Sequence, residues 1–250
     1  MDKQIVKRII DWIKDYVTSA HADGVVIGMS GGKDSLVVAK LCTEAIGKQN
    51  VYGVIMPNGE MTDKNDAVIS CRLLGIDYSI LNISKTYNSL LQDVKPTLQK
   101  LGKTASTITT INTAPRIRMA TLYALAGSMN YLVANTSNLS ETMVGYTTKW
   151  GDNVGDFAPI ANFTKSEVCQ IGLLLGLPDD LVNKTPSDGL SGKSDEENLG
   201  FTYENLDNFI RFGIQKDDFD RISRMHAYSA HKRTGAKKFE NDLPNFFERR

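Results

Sequence analysis

The chain has 250 residues, 41% hydrophobic and 23% charged, an ordinary globular composition that excludes disorder as a whole-chain answer. Lysine plus arginine number 29 and aspartate plus glutamate number 29, so the formal net charge is zero and no global field recruits nucleic acid or an anionic membrane. The longest apolar runs, such as Gly24 to Met29, fall far short of the roughly 20 residues that span a bilayer. Met1 to Arg8 alternates charged and apolar residues and carries no secretory pattern, so the expectation is a cytoplasmic protein. Cys42, Cys71 and Cys169 are odd in number and far apart, which suits neither a disulfide framework nor a paired metal or redox site.

Ile5, Ile9, Ile10, Ile13, Tyr16 and Val17 recur at helical spacing and predict an amphipathic helix ending near Ser19. Gly24 to Met29 reads as a buried strand, and Ser35 to Ile46 resumes helical spacing. Val51 to Met56 is a second strand, Asp63 to Leu74 a helix, Ile76 to Ile83 a third strand and Tyr131 to Ala134 a fourth. A long helix begins near Ala114, with Asn112 or Thr113 as cap and Pro115 in its first turn. Strands alternating with helices predict an α/β fold built on a doubly wound, Rossmann-like parallel sheet with helices on both faces. Lys103 to Asn112 and Lys184 to Gly200 lack periodicity and read as functional loops. Tyr203 to Tyr228 is helical again, and one domain over residues 1–250 suffices.

The segment Gly28, Met29, Ser30, Gly31, Gly32, Lys33, Asp34 and Ser35 joins the first strand to its helix. Backbone N–H groups and the positive helix end converge there, as an anion site requires, and the glycines admit close approach of oxygen atoms. The spacing excludes two common nucleotide loops. Position 27 is Ile and position 34 is Asp, against the Walker A pattern, and the glycines do not fit the dinucleotide fingerprint. An aspartate inside an anion cradle makes electrostatic sense with a cation between it and the phosphates, which points to magnesium nucleotide.

Residues Ser30 to Ser35, SGGKDS, resemble the pyrophosphate loop of the N-type ATP pyrophosphatase superfamily, whose members cleave ATP between the α- and β-phosphates. Further blocks follow in order: NTAPRIRM from Asn112, NTSNLSETMVGYTTKWGD from Asn135, TKSEV from Thr164, TPSDGL from Thr185 and SDEENLG from Ser194. Together they are similar to the ammonia-dependent NAD synthetases, over nearly the whole chain. That resemblance implies an adenine nucleotide alpha hydrolase-type sheet and a ligase that amidates nicotinic acid adenine dinucleotide (deamido-NAD) with ammonia. The reaction runs through an adenylate, and AMP and pyrophosphate are released.

Carried over by position, the resemblance implies that Gly28 to Ser35, Thr136, Lys165 and Ser187 bind ATP, and that Asp34 and Glu141 are the Mg²⁺ ligands. Arg116, Lys149, Asp156, His231 and Lys232 match the positions that hold deamido-NAD. Cations suit its pyrophosphate and carboxylate, whereas alone His231, Lys232 and Arg233 also read as a helix end facing its dipole. Asp152 matches the aspartate where ammonia enters; a carboxylate there concentrates ammonium and accepts its proton. Tyr123 and Tyr146 are candidates to stack on the nicotinate ring. The family relationship further implies a homodimer, with the first helix and the Ala114 to Met129 helix as candidate contacts. The length leaves no room for the amidase domain of glutamine-using relatives.

Two positions depart from the family pattern. Asn135 stands where the family has glycine, which would narrow the approach to adenosine. Lys33 is either a second phosphate anchor or an outward side chain. The rivals are another amidating synthetase, a tRNA thiolase and a nucleotide sensor without turnover; three retained carboxylates, Asp34, Glu141 and Asp152, argue against the last.

Overall fold

The strands β1 (Gly24–Gly28), β2 (Val51–Ile55), β3 (Asp77–Ile80) and β4 (Tyr131–Ala134) form one parallel sheet in the order β3-β2-β1-β4. The computed structural model describes residues 2–59, 64–184 and 194–239. Around the sheet lie α1 (Lys3–Ser19), α2 (Lys33–Ile46), α3 (Lys64–Leu74), α4 (Ser84–Lys100), α5 (Thr107–Met129), α6 (Leu139–Val144), α7 (Lys165–Leu174), α8 (Asp179–Val182), α9 (Asp195–Leu199), α10 (Tyr203–Phe212) and α11 (Phe219–Tyr228).

Alternation along each strand builds two cores. Val25, Ile27 and Ile55 point into the layer of α1, α2 and α7, against Ile9, Ile13, Leu41 and Ile171. Val26, Val54 and Val133 point the other way, against Ala114, Ile117 and Ala126 of α5. Burying a side chain the size of Ile13 or Leu41 contributes about 1.5–3 kcal/mol, and with both faces covered β1 and β2 read as apolar runs, whereas the edge strand β3 does not. A third cluster, with Val144, Leu199, Tyr203, Leu206 and Ile222, joins α6, α9, α10 and α11. Among the described residues no helix is long and apolar enough to cross a membrane.

The helices differ from expectation mainly between 84 and 112. The structure adds α4, which buries no residue fully and carries Pro96 inside it. The long helix starts at Thr107 behind an Ser106 cap, so Pro115 sits in its interior and most of the expected 103–112 loop is helical. Packing overrides the proline's preference for a first turn: Tyr87 of α4 donates its hydroxyl to Thr110 O at 3.1 Å, and Thr113 Oγ1 donates back to Thr109 O at 2.7 Å. The 203–228 segment is two helices rather than one. Of the expected loop 184–200, residues 185–193 lie outside the described residues, and Asp195–Leu199 is helical.

Beside β4 the chain returns at Phe157, which bridges to Ala134. Asp156 secures this return: its Oδ2 accepts Val133 N–H at 2.7 Å, its Oδ1 accepts the Tyr123 hydroxyl at 3.2 Å, and its main-chain O accepts the Tyr16 hydroxyl at 2.6 Å. Val133 is only 1% exposed. Asp156→Ala leaves that amide unpaired and is expected to cost about 1–3 kcal/mol, whereas Asp156→Asn keeps an acceptor and loses less, as urea unfolding will show.

Candidate active site

The carboxyl ends of β1, β2 and β4 open on one cavity of about 370 Å³, at the point where the chain winds from β1 out to both sides. In open α/β sheets that crevice is where ligands bind, and its volume is that of a single-ligand site. Its floor is the loop leading into α2. Gly31 has φ 86°, a left-handed conformation that favours glycine, and a Cβ placed on Gly28 would find nothing closer than Leu122 at 3.5 Å. The protein does not need that space for itself. Gly32 caps α2 without any side-chain bond, so the first amides of the helix face the cavity, while Ser30 and Ser35 hydroxyls lie 3.2 Å apart beside them.

Three helix starts then deliver a charged cluster. Asp34 comes from the first turn of α2 and Lys165 opens α7. Glu141 comes from α6, where it forms a capping box with Asn138. Lys165 Nζ donates to Asp34 Oδ2 at 2.7 Å and to Glu141 Oε1 at 2.9 Å, and lies 5.1 Å from the Tyr203 ring centre. Asn138 Nδ2 donates to Asp34 Oδ1 at 3.3 Å. Burial raises the Glu141 carboxyl; Lys165 draws it back and the Asp34 charge raises it again, leaving it pushed up to about 7. Burial alone would lower Lys165, but Asp34 and Glu141 outweigh it and hold the ammonium well above its ordinary range. Two carboxylates sharing one side-chain cation remain a charge short, a donor set that suits a divalent ion completed by phosphate oxygens. Among the described residues no three metal-ligating side chains of the His, Cys, Asp and Glu types come together.

The opposite wall is the loop carrying Asp152. Thr148 N–H donates to Asp152 Oδ1 at 2.5 Å, and the Asp152 main-chain O accepts Asn135 Nδ2 at 2.9 Å and Ser137 Oγ at 3.2 Å. The carboxylate opens onto the cavity, whose wall withholds enough water from the charged form to raise its pKa; the Thr148 amide, Lys232 and Arg118 pull it back. Asn135 also donates to Val154 O at 3.2 Å. Its side chain therefore clamps this loop to β4, at a residue that also lines the cavity.

Gly28 to Ser35, Thr136, Glu141, Asp152 and Lys165 all line the cavity. Lys33 is 8% exposed, lines the cavity and ends 3.6 Å from Cys169 Sγ, so it is not an outward side chain. Ser187 lies outside the described residues. Arg116, Lys149, His231 and Lys232 gather beside the Asp152 loop, outside the cavity wall. Arg116 Nε donates to Lys149 O at 3.2 Å, Lys149 Nζ to His231 O at 2.6 Å, and Lys232 Nζ to Gly145 O and Thr147 O, each at 2.7 Å. Asp156 and Tyr123 bond each other away from the cavity, whereas Tyr146 lines it. Sequence reasoning missed Arg118, whose Nε donates to Met56 O at 2.9 Å and whose guanidinium faces the same cavity. The signal was there: Pro115, Arg118, Met119 and Leu122 share one helical face and all line the site.

A family model described as NAD synthase matches residues 5–237. The chain belongs to the NAD synthase family. A relative from Archaeoglobus fulgidus named NH(3)-dependent NAD(+) synthetase is 41% identical over 240 residues, covering 92% of this chain and 94% of its own. One of the same name from Finegoldia magna is 37% identical over 245 residues, covering 97% and 98%. Among solved structures, NMN synthetase from Francisella tularensis superposes with a TM-score of 0.85 at 33% identity, over 98% of both chains. These likenesses agree with the Rossmann-like parallel fold.

Glu141 carries a pH dependence. Glu141 binds its proton more tightly folded than unfolded, so its contribution is fully present below its ordinary 4.5 and is lost as pH rises to about 7. Stability is expected to fall across that interval, and Glu141→Gln, which keeps an acceptor for the Asn138 amide, is expected to flatten the fall in urea unfolding.

Proposed function

We propose that the chain amidates deamido-NAD with ammonia at the expense of ATP, giving NAD, AMP and pyrophosphate. One observation carries the reading: an open helix-start anion cradle, a two-carboxylate cluster and Asp152 line a single cavity, in a chain whose full-length relatives bear that activity's name. The 28–35 loop takes the phosphate chain through the open amides at the start of α2, Thr136 takes the adenosine part, and Lys165 with Ser187 the phosphates that leave. Asp34 and Glu141 are the residues that would hold Mg²⁺, whose charge, when it is bound, offsets that of the phosphate oxygens.

The cavity is of single-ligand size, so the dinucleotide lies beyond its mouth, on the cations Arg116, Lys149 and Lys232 beside His231. Asp156 serves that subsite by holding β4 and Tyr123 in place. The nicotinate carboxylate oxygen attacks the α-phosphorus and pyrophosphate departs. Ammonia then attacks the activated carbonyl carbon, AMP departs with the bonding electrons, and the extra proton passes to Asp152. A raised carboxyl pKa favours that transfer, because a base works best when its pKa lies nearer the working pH. No enzyme nucleophile is needed; positioning and fixed charges carry the rate.

The chain works as one domain over residues 1–250, in the cytoplasm where ATP is available. It pairs with a second copy through α4 and the first turns of α5, which expose Leu90, Val94, Leu101, Ile108 and Ile111. The first helix spends Ile9, Ile13 and Val17 inside its own chain and leaves Trp12 exposed. The Francisella likeness makes nicotinic acid mononucleotide a second substrate to weigh.

Incubation with ATP, Mg²⁺, ammonium and deamido-NAD, followed by nucleotide separation, is expected to yield NAD and AMP. ADP in place of AMP would sink the reading, and faster amidation of the mononucleotide would move the assignment to that substrate. Asp152→Asn is expected to lower kcat/KM for ammonia by roughly 10²-fold or more with ATP affinity retained. The double change Leu101→Glu, Ile108→Glu is expected to give a monomer in sedimentation.

A further inference from the structure

Lys165 sits between the two carboxylates that the proposed reading gives to a divalent cation. We propose that Lys165 is the resident cation of this site, so that a metal ion enters only together with a phosphate chain that draws the lysine away. The inference rests on Asp34 and Glu141 being the metal ligands.

The geometry leaves little room for another order of events. The Lys165 side chain is 7% exposed and its two carboxylate partners are 16% exposed each, so neither side can lose the other without stranding a nearly buried charge. A metal ion arriving alone would meet an ammonium already within 2.9 Å of both ligands. Asp34 and Glu141 also supply too few oxygens to replace its water. A phosphate chain at the start of α2 changes both terms: it offers Lys165 a new anion beside the helix turn that carries its present partner Asp34, and it completes the oxygen set for the metal.

The exchange is confined to the lysine stem. The Lys165 amide donates to Ser140 Oγ at 3.0 Å, Ser140 is bonded to Asp207, and Asp207 Oδ2 accepts Ser166 N–H at 2.9 Å. Thr164 caps the helix from outside with Glu167. The backbone is therefore fixed, while the four-carbon stem and the Tyr203 face beside it allow the ammonium to swing. Lys33, the other buried ammonium of the wall, is engaged with Cys169 and does not replace it.

Mn²⁺ binding, read by water-proton relaxation enhancement, tests this without turnover. Wild-type protein is expected to bind Mn²⁺ weakly alone or with adenosine and tightly with ATP. Lys165→Met is expected to bind Mn²⁺ alone at least about tenfold more tightly than wild type, while Lys165→Arg, which keeps the charge, excludes it as wild type does. Equal Mn²⁺ affinity in wild type and Lys165→Met, or equal gain from adenosine and ATP, overturns the inference and leaves the metal ligands standing. Glu141→Gln that leaves Mn²⁺ binding with ATP unchanged overturns the ligands and the inference together. The adenosine and ATP comparison uses wild-type protein and holds even if Lys165→Met does not fold.

Discussion

One ammonium shared by two carboxylates ties together the parts of this protein that do the chemistry. Asp34 is carried by the helix after β1, Glu141 by the helix after β4, and Lys165 by the helix that packs back on α2. None of these groups could stay charged at such burial alone, so each element is held where the other two need it. The sheet supplies the precondition, because parallel strands put all their carboxyl ends on one side, and helix starts with their positive ends follow immediately.

The second organising device is the clamp on the Asp152 loop. Asn135 at the end of β4 reaches two main-chain carbonyls of that loop, while α5 supports it from beneath through Asn112, which bonds Thr148 Oγ1 at 2.8 Å, and Pro115, against which Gly151 packs. The cavity thus lies between two supports, one built on β1 and one on β4, and the distance between them is set by strand pairing such as Val26 with Val133.

Much of this was legible in the residues, for identifiable reasons. Runs rich in valine and isoleucine between glycine or polar turns marked β1 and β2, as burial on both faces requires, while the edge strands β3 and β4 were marked by their place in the alternation of strands and helices. The anion loop was legible because its glycines fall between a buried strand and a helix start, where Gly31 makes the left-handed turn and Gly32 the cap. The start of α5 was not, because Pro115 is an ordinary first-turn residue and only the Tyr87 contact from α4 reveals two further turns ahead of it. The partnership of Lys165 was also hidden: residues 34, 141 and 165 are far apart in sequence, and spacing says nothing about which cation faces which anion. Arg118 was passed over in favour of Arg116, two residues earlier, which the family pattern singled out.

The Asp156 carboxylate also guards an edge of the sheet. β4 lies at the end of the ladder, and a bare edge there would present amide donors to any passing extended segment, the usual beginning of strand-by-strand aggregation. A side-chain oxygen already occupies the Val133 donor, the Phe157 carbonyl takes the Asn135 donor, and the Asp156 amide donates to the Val133 carbonyl. Along this covered stretch the sheet is closed to edge pairing, and association is left to helical surfaces, whose side chains, unlike backbone amides, can discriminate between a copy of this protein and a stranger.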